Sequence, residues 1–229
     1  DGSLAPGSEE IHNGADDNAS GVAVVLAVAE ALAGAETLAN RGVVFALWAA
    51  EEEGLLGSAH WARNPLPTGV RVVAGINLDM VGRPSEGRIT AGSLETAFAL
   101  GSTLALAEPG VAIEITRSAG RLPGGGGSDH MSLHGVQIPC AFLFSGLHTD
   151  YHKPTDDWQY LDYPRMASVV KLVVAWTEAL RAADADRLAW VTPPPEPDRG
   201  PVQGAGAWFG SVPDSAAQPE GGGMQLAGV

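Results

Sequence analysis

Cysteine is nearly missing from this chain, with a single Cys140 in 229 residues. An internal disulfide is therefore excluded, and cysteine usage says nothing about the redox state of the compartment. Cys140 stands in the apolar run Ile138-Pro139-Cys140-Ala141-Phe142-Leu143-Phe144 and is expected to behave as a small buried hydrophobe. Positive charge is scarce too. Thirteen Lys and Arg face 27 Asp and Glu, giving a net charge of −14. That argues against nucleic acid or an anionic membrane as the main partner, because both demand a basic face. The same balance suits cationic ligands, including metal ions and free amino groups. No apolar run approaches a transmembrane span, and no secretory signal is visible. An initiator Met is absent, and the chain opens in the loop-like stretch Asp1-Gly2-Ser3-Leu4-Ala5-Pro6-Gly7, so it is expected to begin inside a longer protein.

What is present suffices for a full core, with 45% hydrophobic and 17% charged residues. Val22, Val25, Leu26, Ala29 and Leu32 recur at helical spacing and predict a helix over residues 19–33, with Asp17, Asn18 and Ser20 as its starters. The continuous apolar run 43–48 reads as a buried strand, as in a parallel sheet covered on both faces. Further strands are expected over 70–78, 88–90, 111–116 and 139–144, and helices over 55–63, 94–107, 128–134 and 164–183. Residues 118–127 form a glycine-rich loop. Strands alternating with helices imply an α/β domain with a largely parallel or mixed sheet, whose ligand sites lie where loops leave the carboxyl ends of strands. Residues 192–199, rich in proline, read as a stiff linker after a domain spanning 1–191. Residues 200–229 are too short to fold alone.

Four acidic or histidine-bearing motifs stand at the expected ends of these elements. Gly14-Ala15-Asp16-Asp17-Asn18-Ala19-Ser20-Gly21 opens the first helix, where a single Asp ordinarily serves as a cap. Glu51-Glu52-Glu53-Gly54 follows the strand ending in Trp48. Three consecutive carboxylates usually mark a solvated turn, but at the end of a core strand they repel one another unless a cation is shared. Asp79 ends the strand over 70–78. His148-Thr149-Asp150-Tyr151-His152-Lys153-Pro154-Thr155-Asp156 holds two histidines. Each motif alone has an ordinary structural explanation. Together they supply the carboxylates and imidazole that zinc takes when cysteine is absent. Two divalent ions about 3.5–4 Å apart need a bridging carboxylate, ligands on each side and an unligated carboxylate to activate water.

Gly-Ala-Asp-Asp-Asn-Ala-Ser-Gly, Ala-Ala-Glu-Glu-x-Gly-Leu-x-Gly-Ser, Asn-Leu-Asp-Met-x-Gly and Tyr-His-x-x-x-Asp occur in the order and approximate spacing of a known family. Over roughly residues 1–185 the chain resembles the co-catalytic zinc aminopeptidases of metallopeptidase family twenty-eight. The resemblance implies a three-layer α/β/α fold, two zinc ions as cofactors and a peptide substrate with a free N-terminus. It makes Asp17 the carboxylate bridging both ions, Glu52 and His152 further ligands of one zinc, and Asp79 a ligand of the other. Glu51 resembles the general base, and Tyr151 a tyrosine that stabilises the oxyanion. Asp16, Asp129, His130 and Asp156 would support these groups, Asp156 by orienting a metal-bound histidine. The family also takes a histidine from a His-x-Asp motif on an earlier strand. His12 is the only histidine before Asp17 and reads as a loop residue, so that ligand and the first strands of the sheet are expected to be missing. Residues 207–214 and 223–229 resemble the opening strands of a PDZ domain, with an unstructured tail as the alternative. The family further suggests an exported protein. Two other functions stay open: a related carboxypeptidase or one-zinc glutaminyl cyclase, and a binding domain on a peptidase scaffold that has lost catalysis.

Overall fold

The computed structural model describes residues 3–5, 7–34, 41–64, 70–84, 87–118 and 127–193, together with two short strands at 212–213 and 226–228. The glycine-rich loop lies largely outside these residues. The alanine-rich stretch folds as α1, Gly21–Ala33, entered through a tight turn over Ala15–Ser20. Its buried stripe runs through Val24 and Val28, one position away from the expected Val25 and Ala29, and the expected Leu26 is 57% exposed. α2 spans Leu56–Arg63 and β1 spans Gly75–Leu78, the last four residues of the expected 70–78 strand. β2 (Arg88–Gly92), α3 (Phe98–Ala107), β3 (Glu114–Arg117), α4 (His130–His134), β4 (Cys140–Phe144) and α5 (Tyr163–Ala182) follow in the expected order.

The four strands form one mixed sheet in the order β1-β4-β2-β3. β1 runs parallel to β4 and β2 parallel to β3, while β2 and β4 are antiparallel. Every residue of β4 is buried. Its side chains alternate between faces, as a pleated strand requires. Ala141 and Leu143 join the core built with α1, α3 and α5, whereas Phe142 and Phe144 pack with Met80 and Tyr151 on the other face. Helices α2 and α4 pack together, and α4 also packs on β1 and β4. The result is a three-layer α/β/α arrangement. At its centre Trp176 of α5 is fully buried, and its indole N–H is satisfied by Leu100 O at 3.2 Å and Thr103 Oγ1 at 3.0 Å. Cys140 is buried, and burial pushes its thiol up to about 12, so it remains a neutral hydrophobe at physiological pH.

One expected strand differs. Residues 43–48 form no ladder among the described residues, and Val44, Phe45 and Leu47 are 51%, 41% and 54% exposed. A cavity of about 1140 Å³ is lined by this segment, by residues 70–78 and by Val22, Val25 and Val28 of α1. An apolar run becomes a strand only where a neighbouring backbone pairs with it, and among the described residues none pairs with 43–48. Beyond residue 193, Val212–Pro213 pairs antiparallel with Leu226–Gly228; the rest of the expected PDZ-like segment lies outside the described residues.

Candidate metal centre

The sheet's first strand and the start of α1 are stitched together by backbone and side-chain hydrogen bonds. Asn18 Nδ2 donates to Leu78 O at 2.9 Å, and Asn18 Oδ1 accepts the N–H groups of Gly21 and Met80. Gly21 is required here: a Cβ would stand 2.4 Å from Asn18 Oδ1 and 2.6 Å from Leu78 O. Gly82 is equally confined, because its Cβ would meet Ser20 Cβ at 2.8 Å and Asp16 Oδ1 at 2.9 Å. Ser20 Oγ donates to Asp16 O and accepts the N–H of Val81. Asp17, at the mouth of α1, is thereby brought beside Asp79, which follows β1.

Three of the expected residues converge. His152 Nε2 lies 3.2 Å from Asp17 Oδ2 and 3.0 Å from Glu52 Oε1. One donor atom from each of Asp17, Glu52 and His152 falls within 4.8 Å of the others. Glu52 arrives from the turn after residues 43–50, and His152 from the loop after β4. Asp79 and Glu51 border this trio, since each feels the charge of Asp17 and Glu52. Asp79 Oδ2 accepts from Ser128 Oγ at 2.7 Å, and Ser128 Oγ accepts from Asn77 Nδ2 at 2.8 Å. Neither Ser128 nor Asn77 was expected from the sequence. Ser128 was marked only by its place at the end of the glycine-rich loop, and Asn77 by opening the Asn-Leu-Asp-Met-x-Gly motif without a role assigned to it.

The electrostatics are those of crowded acids. Burial, then the charges of Asp79, Glu52, Asp129 and Asp17, push Glu51 up from 4.5 to about 8. Burial also lifts Asp79 from 3.8 to about 7; the Ser128 hydrogen bond opposes this, while Asp17, Glu52 and Asp129 reinforce it. Burial raises Asp17, whereas Glu52 is lowered by its hydrogen bond to His152. Burial disfavours the charged form of His152, yet its hydrogen bonds to Asp17 and Glu52 outweigh that and raise it to about 10. The imidazole thus acts as the counter-cation of the cluster. Tyr151 stacks on His152 with ring centroids 3.7 Å apart, and burial followed by the surrounding carboxylates keeps its hydroxyl protonated.

The supporting residues fall into two groups. Asp156 Oδ2 accepts the N–H groups of Asp16 at 2.9 Å and Asp17 at 3.0 Å, so it orients the turn that presents Asp17. Asp16 is fully buried and its Oδ1 accepts the N–H of Gly82 at 2.7 Å. On the far side, burial raises Asp129, and burial with the neighbouring His134 drops His130 to about 3. His130 is therefore neutral and lies flat against Phe142, with centroids 4.5 Å apart, as a packing residue. His12 is exposed and hydrogen-bonded to Ser3 at 3.0 Å.

This donor set fits a divalent cation. One imidazole and several carboxylates converge, and the two acids whose pKa values are pushed to about 7 and 8 carry charge that a cation would relieve. An α/β/α sheet carrying such a cluster at the carboxyl end of its strands defines a class of metal-binding α/β proteins. Within it, residues 3–177 match the model of Peptidase family M28, and the chain belongs to that family. It is 34% identical over 144 residues to leupeptin-inactivating enzyme 1 of Streptomyces exfoliatus, covering 61% of this chain and 30% of that protein. Its fold superposes on a zinc aminopeptidase from Bacillus subtilis with a TM-score of 0.61 and 26% identity, over 76% of this chain and 44% of the other. A glutaminyl cyclase of Porphyromonas gingivalis gives 0.56 and 26%, over 72% and 62%. The chain thus spans less than half the length of the first two relatives.

Proposed function

We propose that the protein is a zinc-dependent aminopeptidase that removes N-terminal residues from peptides and uses two zinc ions. The observation that carries this reading is the convergence of Asp17, Glu52 and His152, with Asp79 and Glu51 at its border. Asp17 would bridge the two ions, Glu52 and His152 would complete one site, and Asp79 would serve the other. Zinc, when bound, supplies a Lewis acid that polarises the scissile carbonyl and acidifies water.

The chain's own groups supply the rest. Glu51 takes the proton of the attacking water and later delivers it to the leaving amine, since a carboxylate beside the cluster is suited to exchange a proton near neutrality. Tyr151, held protonated by its surroundings, donates its O–H to the oxygen that becomes negative. The acidic rim attracts a free α-ammonium group, which selects exopeptidase substrates over blocked ones. His12, exposed and bonded to Ser3, is read as a loop residue and not as a ligand.

The test is release of leucine from an unblocked leucyl peptide by the zinc-loaded protein, with the N-acetylated peptide as control. Glu51→Gln should lower kcat by about 10²–10⁴ while leaving the zinc content unchanged. Equal loss of zinc in that variant would show that Glu51 is a ligand and not the base. A second reading draws on the likeness to the cyclase and on the compact trio of donors, the one such group among the described residues. Conversion of an N-terminal glutamine to its lactam, without peptide cleavage, would favour it.

A further inference from the structure

Behind the metal-binding face lies a second polar cluster that the proposed reaction does not touch. Three of its atoms are buried and lack a hydrogen-bond partner: Asp16 Oδ2, Asp156 Oδ1 and His148 Nε2. They lie close to one another. His148 Nε2 is 3.3 Å from Asp16 Oδ2 and 3.9 Å from Asp156 Oδ1, and the side chains of Asp16 and Asp156 are only 0% and 2% exposed. Buried carboxylate oxygens left without a donor are costly, so one N–H facing two of them has structural meaning.

The hydrogen position follows from the other side of the ring. His148 Nδ1 accepts the backbone N–H of Asp150 at 3.3 Å, which leaves Nε2 as the nitrogen that carries hydrogen. Asp150 is itself held by Arg83 NH1 at 2.8 Å and by Thr155 Oγ1 at 2.8 Å. Arg83 also lies 3.9 Å from Asp156 Oδ1 and stacks over the Tyr160 ring at 5.3 Å. The cluster therefore ties together the turn bearing Asp17, the segment after Asp79 and the loop bearing His152.

We propose that His148 is a positioning residue: its Nε2–H lies beside the Asp16 and Asp156 carboxylates as an electrostatic contact, and through the Asp156 carboxylate it fixes the backbone that presents Asp17 to the metal. The chain of contacts is short. His148 restrains Asp156 Oδ1, Asp156 Oδ2 accepts the amides of Asp16 and Asp17, and the carboxylate of Asp17 follows from that backbone. The inference rests on the metal-binding reading above, but the latch itself is a property of the metal-free chain.

The experiment compares His148→Asn, which places an N–H near the Nδ1 position, with His148→Gln, which places one near Nε2. Two readouts are taken: amide hydrogen exchange at Asp16 and Asp17 in the metal-free protein, and zinc affinity by competition with a fluorescent chelator. His148→Asn should speed exchange at both amides by at least about tenfold and weaken zinc about 10–100-fold, the range typical of outer-shell partners. His148→Gln should stay within about threefold of the parent in both. Leu172→Ala, a core change remote from the cluster, should lower stability without a selective effect on either readout. Unchanged exchange at Asp16 and Asp17 in His148→Asn overturns the latch. So does an equal zinc loss in Leu172→Ala. Should either His148 variant fail to fold, the ring nitrogen shifts of the parent protein decide the matter. A hydrogen on Nε2 is expected, and a hydrogen on Nδ1 refutes the arrangement. If exchange responds as expected while the parent binds no zinc, the metal reading fails and the latch stands.

Discussion

Asp79→Asn should stabilise the metal-free protein and at the same time weaken its hold on zinc. In the folded chain the Asp79 carboxyl is raised from 3.8 to about 7, mainly by burial and then by Asp17, Glu52 and Asp129. The folded state thus binds this proton about 10³-fold more tightly than the unfolded chain, equivalent to a ceiling of about 4 kcal/mol. Because the folded pKa is raised, the ionised side chain is the unfavourable form. Stability falls as pH climbs from 3.8 to about 7, and the full cost is present above that. Water and local relaxation reduce the figure, and about 2 kcal/mol is the working value at pH 8. The amide removes the charge while keeping an acceptor for Ser128 Oγ. For a domain of this size that gain corresponds to ~4–8 °C in Tm. The assay is calorimetric unfolding with excess chelator at pH 8 and pH 5, repeated with zinc. The variant should melt higher than the parent at pH 8 in chelator, less than half as much higher at pH 5, and lower than the parent with zinc. A lower melting point for the variant at pH 8 in chelator, or an advantage independent of pH, would show that the buried Asp79 charge does not destabilise the metal-free fold.

Two further outcomes follow from the same cluster. Metal-free parent protein should lose stability steadily from pH 5 to 9, since the raised values of Glu51 and Asp79, about 8 and 7, and of His152, about 10, all favour the protonated folded state. Zinc should reverse that slope because the ligands must be deprotonated to bind it, and melting curves with and without zinc across this range check the sign. Tyr151→Phe should lower kcat about 10²-fold with zinc content unchanged and KM shifted less than about threefold, measured by steady-state kinetics on a leucyl peptide.

Much of the fold was legible because burial leaves periodic marks. The unbroken apolar run ending at Phe144 became β4, buried on both faces, and the stripe through Met166, Val169, Val173, Trp176 and Leu180 became the inner face of α5. Residues 43–48 carry the same mark yet pair with nothing among the described residues. Hydrophobicity records a tendency to be covered, whereas a strand needs a neighbour's hydrogen bonds as well. The residues of the candidate centre were readable as motifs, since Asp17, Glu52 and His152 meet despite lying up to 135 positions apart by their own numbering. The layer beneath them was readable only in part, through Asp16 and Asp156. Asp156 had been expected to orient a histidine, and it holds the amides of Asp16 and Asp17. Ser128 under Asp79 and His148 between Asp16 and Asp156 depend on how loops cross in space, for which sequence spacing carries no period.

The proposed activity requires that Asp17, Glu52 and His152 hold a metal ion. The most direct measurement is zinc per folded chain, by elemental analysis after exhaustive dialysis, in the parent protein and in Asp17→Asn. The account predicts at least one zinc per chain in the parent and its loss from the variant. A well-folded parent that retains no zinc, or a variant that retains as much as the parent, would contradict it.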